Sequence, residues 1–173
     1  MFERDIISQL AAWKTDTNRK PLVVHGARQV GKTWTLKYFG REYFDDVAYF
    51  SLDKDESGLC DVFRTTKDPQ RIIQHLSFLH GKKIEPQTTL LILDEIQECN
   101  EALNALKYFC EEAPEYAVAC AGSLLGIYLN HVGKSFPVGK VNHLYMYPLT
   151  FTEFLSIRDR TRLCMSICIL LIR

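Results

Sequence analysis

A short stretch near the amino terminus matches the pattern G-x-x-x-x-G-K-[ST]. A loop that wraps a polyphosphate turns its backbone N–H groups inward, and glycine lets the backbone approach the phosphates closely. Lys32 would supply a point charge to the β- and γ-phosphates, and Thr33 would offer a hydroxyl to Mg²⁺. The pattern therefore predicts a loop that binds ATP with Mg²⁺. Its residues are Gly26, Ala27, Arg28, Gln29, Val30, Gly31, Lys32 and Thr33.

A pair of carboxylates follows the apolar run 90–93. In open α/β sheets, ligands bind beyond the carboxyl ends of the strands, where such a run would deliver both side chains. Asp94 fits a Mg²⁺-binding role, with water between carboxylate and metal. Glu95 is placed to orient or deprotonate an attacking water, and Gln97 would hold a hydrogen bond near it. The alternative is a solvated pair of loop carboxylates.

Three further polar positions are candidates with plainer alternatives. Ser123 follows a predicted strand and would reach the γ-phosphate or its water, unless it only forms a turn. Arg28 would touch phosphate, although we favour a solvated arginine. Lys140 would add positive charge near the last strand. An acidic cluster after the second strand is interpreted as a solvated loop, and consists of Asp53, Asp55 and Glu56.

The elements that must position these residues alternate between strand and helix, which predicts an α/β fold: a five-stranded parallel sheet with helices on both faces. Predicted strands occupy residues 21–25, 47–52, 89–93, 116–121 and 141–147. Apolar spacing predicts helices at 2–13, at 32–39 with Gly40 ending it, and from Asp68 to Gly81. A further helix begins with Asn100 as its cap. Thr150 and Glu153 form a capping-box pattern that opens one more.

Composition favours one globular domain in a reducing cytosol. The 173 residues are 47% hydrophobic and 24% charged, and 21 basic residues balance 21 acidic ones, which argues against a general nucleic-acid surface. The six cysteines form no C-x-x-C pair, which argues against zinc. The amino terminus does not resemble a signal peptide. The apolar run 163–172 is too short to span a membrane, so we expect a cytoplasmic protein without a membrane partner.

Taken together, GARQVGKT, LLILDEIQE, CAGSLLG, SFPVGKV and LYMYPLTFTEFL resemble one family. The chain is similar to the predicted bacterial and archaeal ATPases of the AAA+ superfamily that carry a domain of unknown function, the AAA_14/DUF4143 family. The resemblance implies an ASCE-type P-loop core in which another strand separates the Walker B strand from the P-loop strand. It implies residues 26–33 as Walker A, Asp94 and Glu95 as Walker B, and Ser123 in the sensor-1 place. Many relatives have arginine where Lys140 stands.

The resemblance runs from about residue 2 to residue 158. Relatives continue through a helical lid and the DUF4143 region, so we interpret residues 1–158 as the ATPase core and residues 159–173 as a remnant of truncation or frameshift. The alternative is a divergent short helix. Because the run 163–172 is apolar without a polar face, we expect it to promote self-association.

Three functional hypotheses follow. The first is a Mg²⁺-dependent ATPase whose turnover drives a conformational switch. The second is a module that binds nucleotide without hydrolysing it, because the lid and the carboxyl-terminal region are missing. The third, a small-molecule P-loop kinase, is disfavoured because no arginine-rich lid segment lies between the third and fifth predicted strands. The sequence does not identify a protein or DNA partner.

Overall fold

Strands and helices alternate along the chain, as the sequence predicts. The computed structural model describes residues 4–53, 58–123, 139–151 and 153. The strands are β1 (Leu22–Gly26), β2 (Asp46–Ser51), β3 (Thr89–Asp94), β4 (Ala117–Ser123) and β5 (Asn142–Tyr145). The helices are α1 (Ile6–Thr15), α2 (Lys32–Tyr43), α3 (Leu59–Thr65), α4 (Pro69–His80) and α5 (Asn100–Glu112), with a 3₁₀ turn at Ile96–Glu98.

The five strands form one sheet in the order β2-β3-β4-β1-β5. Every neighbouring pair is parallel, so the carboxyl ends of all five strands lie along the same edge. Strand β4 separates β1 from β3, which confirms the strand arrangement expected from the resemblance. The sheet therefore brings the end of β1 and the end of β3 to one edge, one strand apart.

Both faces of the sheet are covered by helices. Side chains of β1 alternate between two cores: Val23 belongs to the core that holds Phe63, and Val24 to the core that holds Phe39. The first core is lined by α3, α4 and α5, and the second by α1 and α2. The nearly continuous apolar sequence of β1 is typical of a parallel strand that is buried on both faces.

Helix α2 is longer than predicted, because Gly40 does not end it. The helix continues to Tyr43. A Cβ on Gly40 would lie 2.6 Å from Cγ2 of Val47 and 3.1 Å from Cδ2 of Leu90. Glycine here lets the helix lie close to β2 and β3, which offsets the roughly 1 kcal/mol that glycine costs inside a helix. The stop at Gly40 was therefore a wrong prediction.

The helix caps divide into confirmed and wrong predictions. Asp68 caps α4 by accepting from the Gln70 amide, and Gly81 ends that helix in the left-handed region. Asn100, by contrast, is the first residue of α5, and Cys99 is the cap without a side-chain bond. Cys99, between the 3₁₀ turn and α5, takes the extended cap conformation, so Asn100 already lies inside the helix.

Two other differences concern the helices. The first helix begins at Ile6 rather than residue 2, and α3 was not predicted.

The predicted capping box is confirmed: the Thr150 amide donates to Glu153 Oε2, and the Glu153 amide donates to Thr150 Oγ1. The segment 159–173 lies outside the described residues. No helix in the described ranges is long and apolar enough to cross a membrane.

Candidate phosphate-binding site

The predicted phosphate loop joins β1 to α2 at the carboxyl edge of the sheet. Gly31 caps α2 with φ 94°, a left-handed conformation that favours glycine. Gly26 has a different reason to be glycine, because a Cβ there would lie 2.3 Å from the backbone oxygen of Met146. The first glycine therefore accommodates the chain after β5, and the second permits the turn into the helix.

Lys32 is the buried cation of the loop, only 7% exposed. Its Nζ donates to the backbone oxygens of Gly26, at 3.0 Å, and Ala27, at 2.8 Å. Burial lowers the pKa of Lys32, while the negative charges of Glu95 and Asp94 act in the opposite direction. A buried ammonium held by neutral carbonyls is suited to receive an anion.

Asp94 is the buried carboxylate at the end of β3, 5% exposed. Its Oδ2 accepts from the Thr33 hydroxyl at 2.7 Å and from the Tyr49 hydroxyl at 3.0 Å. Its Oδ1 accepts from the Glu95 amide at 3.1 Å. The structure thus brings together Thr33 and Asp94, the two residues predicted to hold Mg²⁺.

Tyr49 is a member of this site that sequence reasoning missed. Burial raises its pKa to about 12, and the Asp94 charge and hydrogen bond act in the same direction, so the phenol remains a donor. Tyr49 pairs with Ile92 in the β2–β3 register, and Ser51 pairs with Asp94. The alternation along β2 would have placed Tyr49 on the face of Asp94, but only once the neighbour of β2 was known.

Glu95 follows Asp94 in a left-handed conformation, with φ 52°. This turn separates the two carboxylates, so that Asp94 stays in the strand while Glu95 is half-buried beyond it. The Gln97 amide donates to Glu95 Oε2 at 2.5 Å, which confirms the predicted hydrogen bond between these residues. A non-glycine residue in this conformation is uncommon and marks a position worth testing for function.

The remaining candidates divide between the site and the rest of the molecule. Ser123 is the last residue of β4 and pairs with Gly26, so it lies beside the start of the loop. Arg28 is exposed. Lys140 precedes β5, at the opposite edge of the sheet from the loop, and forms a 2.9 Å ion pair with Glu111. Asp53 is exposed, and Asp55 and Glu56 lie outside the described residues.

Few side chains beside the predicted phosphate loop could bind a metal ion. In the described parts of the chain, no group of three His, Cys, Asp or Glu side chains could hold an ion. A Mg²⁺ ion at Thr33 and Asp94 would therefore take most of its ligands from phosphate and water, as Mg²⁺ commonly does. No disulfide joins the described cysteines, which are Cys60, Cys99, Cys110 and Cys120.

Comparison with known proteins gives one family and two solved structures. The model of the AAA domain family matches residues 18–155, which include every site residue described above. C. elegans PCH-2 is 13% identical with a TM-score of 0.45, over 82% of this chain and 41% of that chain. DnaA from Aquifex aeolicus, solved bound to AMPPCP, is 14% identical with a TM-score of 0.46, over 91% and 48%. The chain thus spans less than half the length of either. No curated protein sequence matches it.

Proposed function

Because the chain belongs to the AAA domain family, we propose that it binds ATP with Mg²⁺ and hydrolyses it, and that turnover drives a conformational switch. The observation that supports this most directly is the 2.7 Å hydrogen bond between Thr33 and Asp94. It joins the end of the phosphate loop to the strand that carries both candidate carboxylates.

Binding depends on the loop amides, the amino-terminal end of α2 and Lys32. The helix end contributes partial positive charge, and the loop N–H groups donate to phosphate oxygens. Lys32 exchanges its two carbonyl partners, Gly26 and Ala27, for the stronger attraction of the phosphates. The half-buried Glu95 and the buried Asp94 lie close enough to influence the Lys32 charge. They favour a ligand that arrives with a divalent cation over a bare polyanion.

The residues present fit Mg²⁺. The cation prefers hard oxygen ligands, and the Thr33 hydroxyl and Asp94 carboxylate supply them within hydrogen-bond distance of each other. When bound, Mg²⁺ neutralises phosphate charge and stabilises the charge that develops during transfer. Thr33 would contact the ion directly, and Asp94 would orient one of its waters while Tyr49 fixes the carboxylate.

Glu95 is the proposed general base. Its carboxylate would accept a proton from a water whose oxygen bonds to the γ-phosphorus, while the bond to the β–γ bridging oxygen breaks and ADP leaves. Gln97 holds the carboxylate in place. Ser123, beside Gly26 at the end of β4, would orient the γ-phosphate or the water.

Two alternatives remain as second candidates. The first is a module that binds nucleotide without hydrolysing it. A small-molecule kinase is less well supported, because Glu95 and its partner Gln97 suit the activation of water. We propose a cytoplasmic location, in which the described cysteines would stay reduced. We also propose that the chain self-associates.

Substitution of Lys32 tests the proposed function. Lys32→Ala should abolish most ATP affinity, measured by calorimetry with Mg²⁺, because the loop loses its buried cation. Arg41→Ala is the matched control, since it removes an exposed cation from the last turn of α2, away from the loop. Equal ATP affinities for wild type and Lys32→Ala, or failure of the wild type to bind ATP, would overturn the proposal. Turnover by the wild type then separates the ATPase from the binding module.

A further inference from the structure

A buried ion pair lies behind the phosphate loop, and the proposed hydrolysis does not use it. Arg4 and Glu153 are 7% and 6% exposed, and Arg4 Nε lies 3.0 Å from Glu153 Oε1. Two charges removed from water are costly unless their hydrogen-bonding capacity is filled. The partners of both groups therefore indicate what the pair holds in place.

Glu153 is held as a carboxylate by donors from two ends of the chain. Besides Arg4, its Oε1 accepts from the Asp5 amide at 3.0 Å, and its Oε2 accepts from the Thr150 amide at 2.8 Å. Burial acts to raise the pKa of Glu153, but these backbone donors and Arg4 outweigh it and lower the pKa. The negative charge that orients Arg4 thus persists at neutral pH.

Arg4 uses its other two nitrogens on backbone oxygens. Nη2 donates to the Tyr147 oxygen at 2.7 Å, and Nη1 donates to the Val30 oxygen at 3.1 Å. Val30 belongs to the phosphate loop itself. The guanidinium therefore joins the loop to the segment after β5, and the planar fork of arginine is suited to this because its donors point in fixed directions.

The bond to Val30 sets the orientation of one loop peptide. No cis peptide occurs in the described residues, so the Val30–Gly31 peptide is trans, and its N–H points opposite to its C=O. The carbonyl faces Arg4. A Cβ on Gly31 would lie 3.6 Å from Met146 Cε and 3.9 Å from Arg4 Nη1, so both side chains lie beside Gly31 on the side to which its Cβ would point. The Gly31 N–H consequently points away from Arg4.

Without the hydrogen bond from Arg4 to its carbonyl, the Val30–Gly31 peptide would be free to flip. Gly31 follows it, and glycine tolerates both signs of φ, so neither the motif nor sterics fixes the peptide. The flipped orientation would direct the Val30 carbonyl at the phosphates and replace a donor with a repelling dipole. Gly31 thus allows the Val30–Gly31 peptide to adopt two orientations, and the hydrogen bond from Arg4 to the Val30 oxygen favours one of them.

We propose that Arg4 is a positioning residue of the phosphate loop, which fixes the Val30–Gly31 peptide so that the Gly31 N–H donates to the nucleotide phosphates. Glu153 holds the guanidinium for this task. The inference rests on the proposed nucleotide binding and adds to it a constraint from outside the loop.

Arg4→Lys tests the proposal, because lysine keeps the charge but cannot reach three acceptors in the same directions. We expect ADP affinity, measured by calorimetry, to fall about 10- to 100-fold, the order of one hydrogen bond to a charged group. Arg19→Lys is the matched control. Arg19 also donates to two backbone oxygens, those of Lys14 and Glu115, but it precedes β1 and lies away from the loop. Its variant should lose stability while ADP affinity stays near the wild-type value.

The Gly31 amide gives a second measurement that needs no variant. In ¹⁵N-labelled wild-type protein, ADP should shift the Gly31 amide signal and slow its hydrogen exchange. If ADP binds and this signal is unchanged, the proposal is wrong. If Arg4→Lys folds and binds ADP as tightly as wild type, it is also wrong. Glu153→Gln replaces Arg4→Lys if that variant does not fold, with the same expected direction. Failure of the wild type to bind ADP would instead overturn the proposed function.

Discussion

The Thr33 hydroxyl donates a 2.7 Å hydrogen bond to Asp94 Oδ2 across 61 residues of chain. A hydroxyl has one proton and two lone pairs, so Thr33 can keep this bond and still offer a lone pair to a cation. The same oxygen of Asp94 accepts from Tyr49. Hydrogen bonds from α2 and β2 therefore hold the Asp94 carboxylate, a candidate metal ligand, without the help of a cation.

Removing the Thr33 hydroxyl should abolish the gain in nucleotide affinity that Mg²⁺ provides. Thr33→Val keeps the shape of the side chain and loses the oxygen. We expect ATP affinity measured with Mg²⁺ to fall about tenfold or more, towards the value measured in EDTA. Thr33→Ser, which keeps the hydroxyl, should retain the gain. Calorimetry with and without Mg²⁺ distinguishes these cases, and a full gain in Thr33→Val would exclude Thr33 as a ligand.

Tyr49→Phe should raise the Mg²⁺ concentration needed for half-maximal ATP binding, with little effect on binding in EDTA. The variant keeps the ring and removes the 3.0 Å hydrogen bond that helps to fix Asp94, together with the hydrogen bond between the phenol and Ser51. Because the pKa of Tyr49 is raised to about 12, the difference from wild type should be the same at pH 7 and pH 9. Tyr108→Phe, on α5, is the matched control. An unchanged Mg²⁺ titration would show that Tyr49 does not support the metal site.

Glu95→Gln should separate binding from chemistry. Glutamine keeps the size and the contact with Gln97 but cannot accept the proton of the attacking water. We expect near-normal ATP affinity and a turnover rate lower by roughly 10²–10⁴-fold. Glu98→Gln, in the same 3₁₀ turn but exposed, is the control. The measurement is the single-turnover rate of ATP hydrolysis, compared with a wild-type preparation that hydrolyses ATP. Equal rates for wild type and Glu95→Gln would exclude Glu95 as the base.

The sequence predicts the positions of the loop and the carboxylates in the fold, because each is a local pattern. Lys32, Thr33 and Asp94 occupy positions that a strand followed by a turn fixes without reference to the rest of the chain. The parallel sheet follows from strands alternating with helices. Asp68 and Gly81 were identified for the same reason, since a helix cap depends on two or three neighbouring residues.

The contacts that the sequence could not predict join distant segments. Tyr49 reaches Asp94 only because β2 pairs with β3, and Arg4 reaches Glu153 across 149 residues. Gly40 has the local features of a helix stop, yet its function is to admit Val47 and Leu90. In each case the deciding partner comes from another element, so spacing along the chain carries no information about it.

A pair of histidines lies beside the start of the phosphate loop. His25, the residue before Gly26, is 3% exposed, and its Nε2 lies 2.8 Å from Nδ1 of His143 on β5. Its ring stacks on His143 and Tyr145 at centroid distances of 5.0 and 5.1 Å. Burial lowers the pKa of His25 to about 4, with further contributions from the charges of His143 and Lys32. Burial also lowers the pKa of His143.

Acid should therefore destabilise the fold through His25 at a pH where most carboxylates are still ionised. Between pH 6.5 and about 4 the unfolded chain binds a proton at this position and the folded chain does not, so the free energy of unfolding falls as the pH falls. His25→Asn removes the titrating group, and its free energy of unfolding should change less between pH 7 and pH 5 than that of wild type. His75→Asn, on the exposed side of α4, should follow wild type. Urea unfolding at the two pH values gives the difference, and identical pH dependence in wild type and His25→Asn would contradict the lowered pKa.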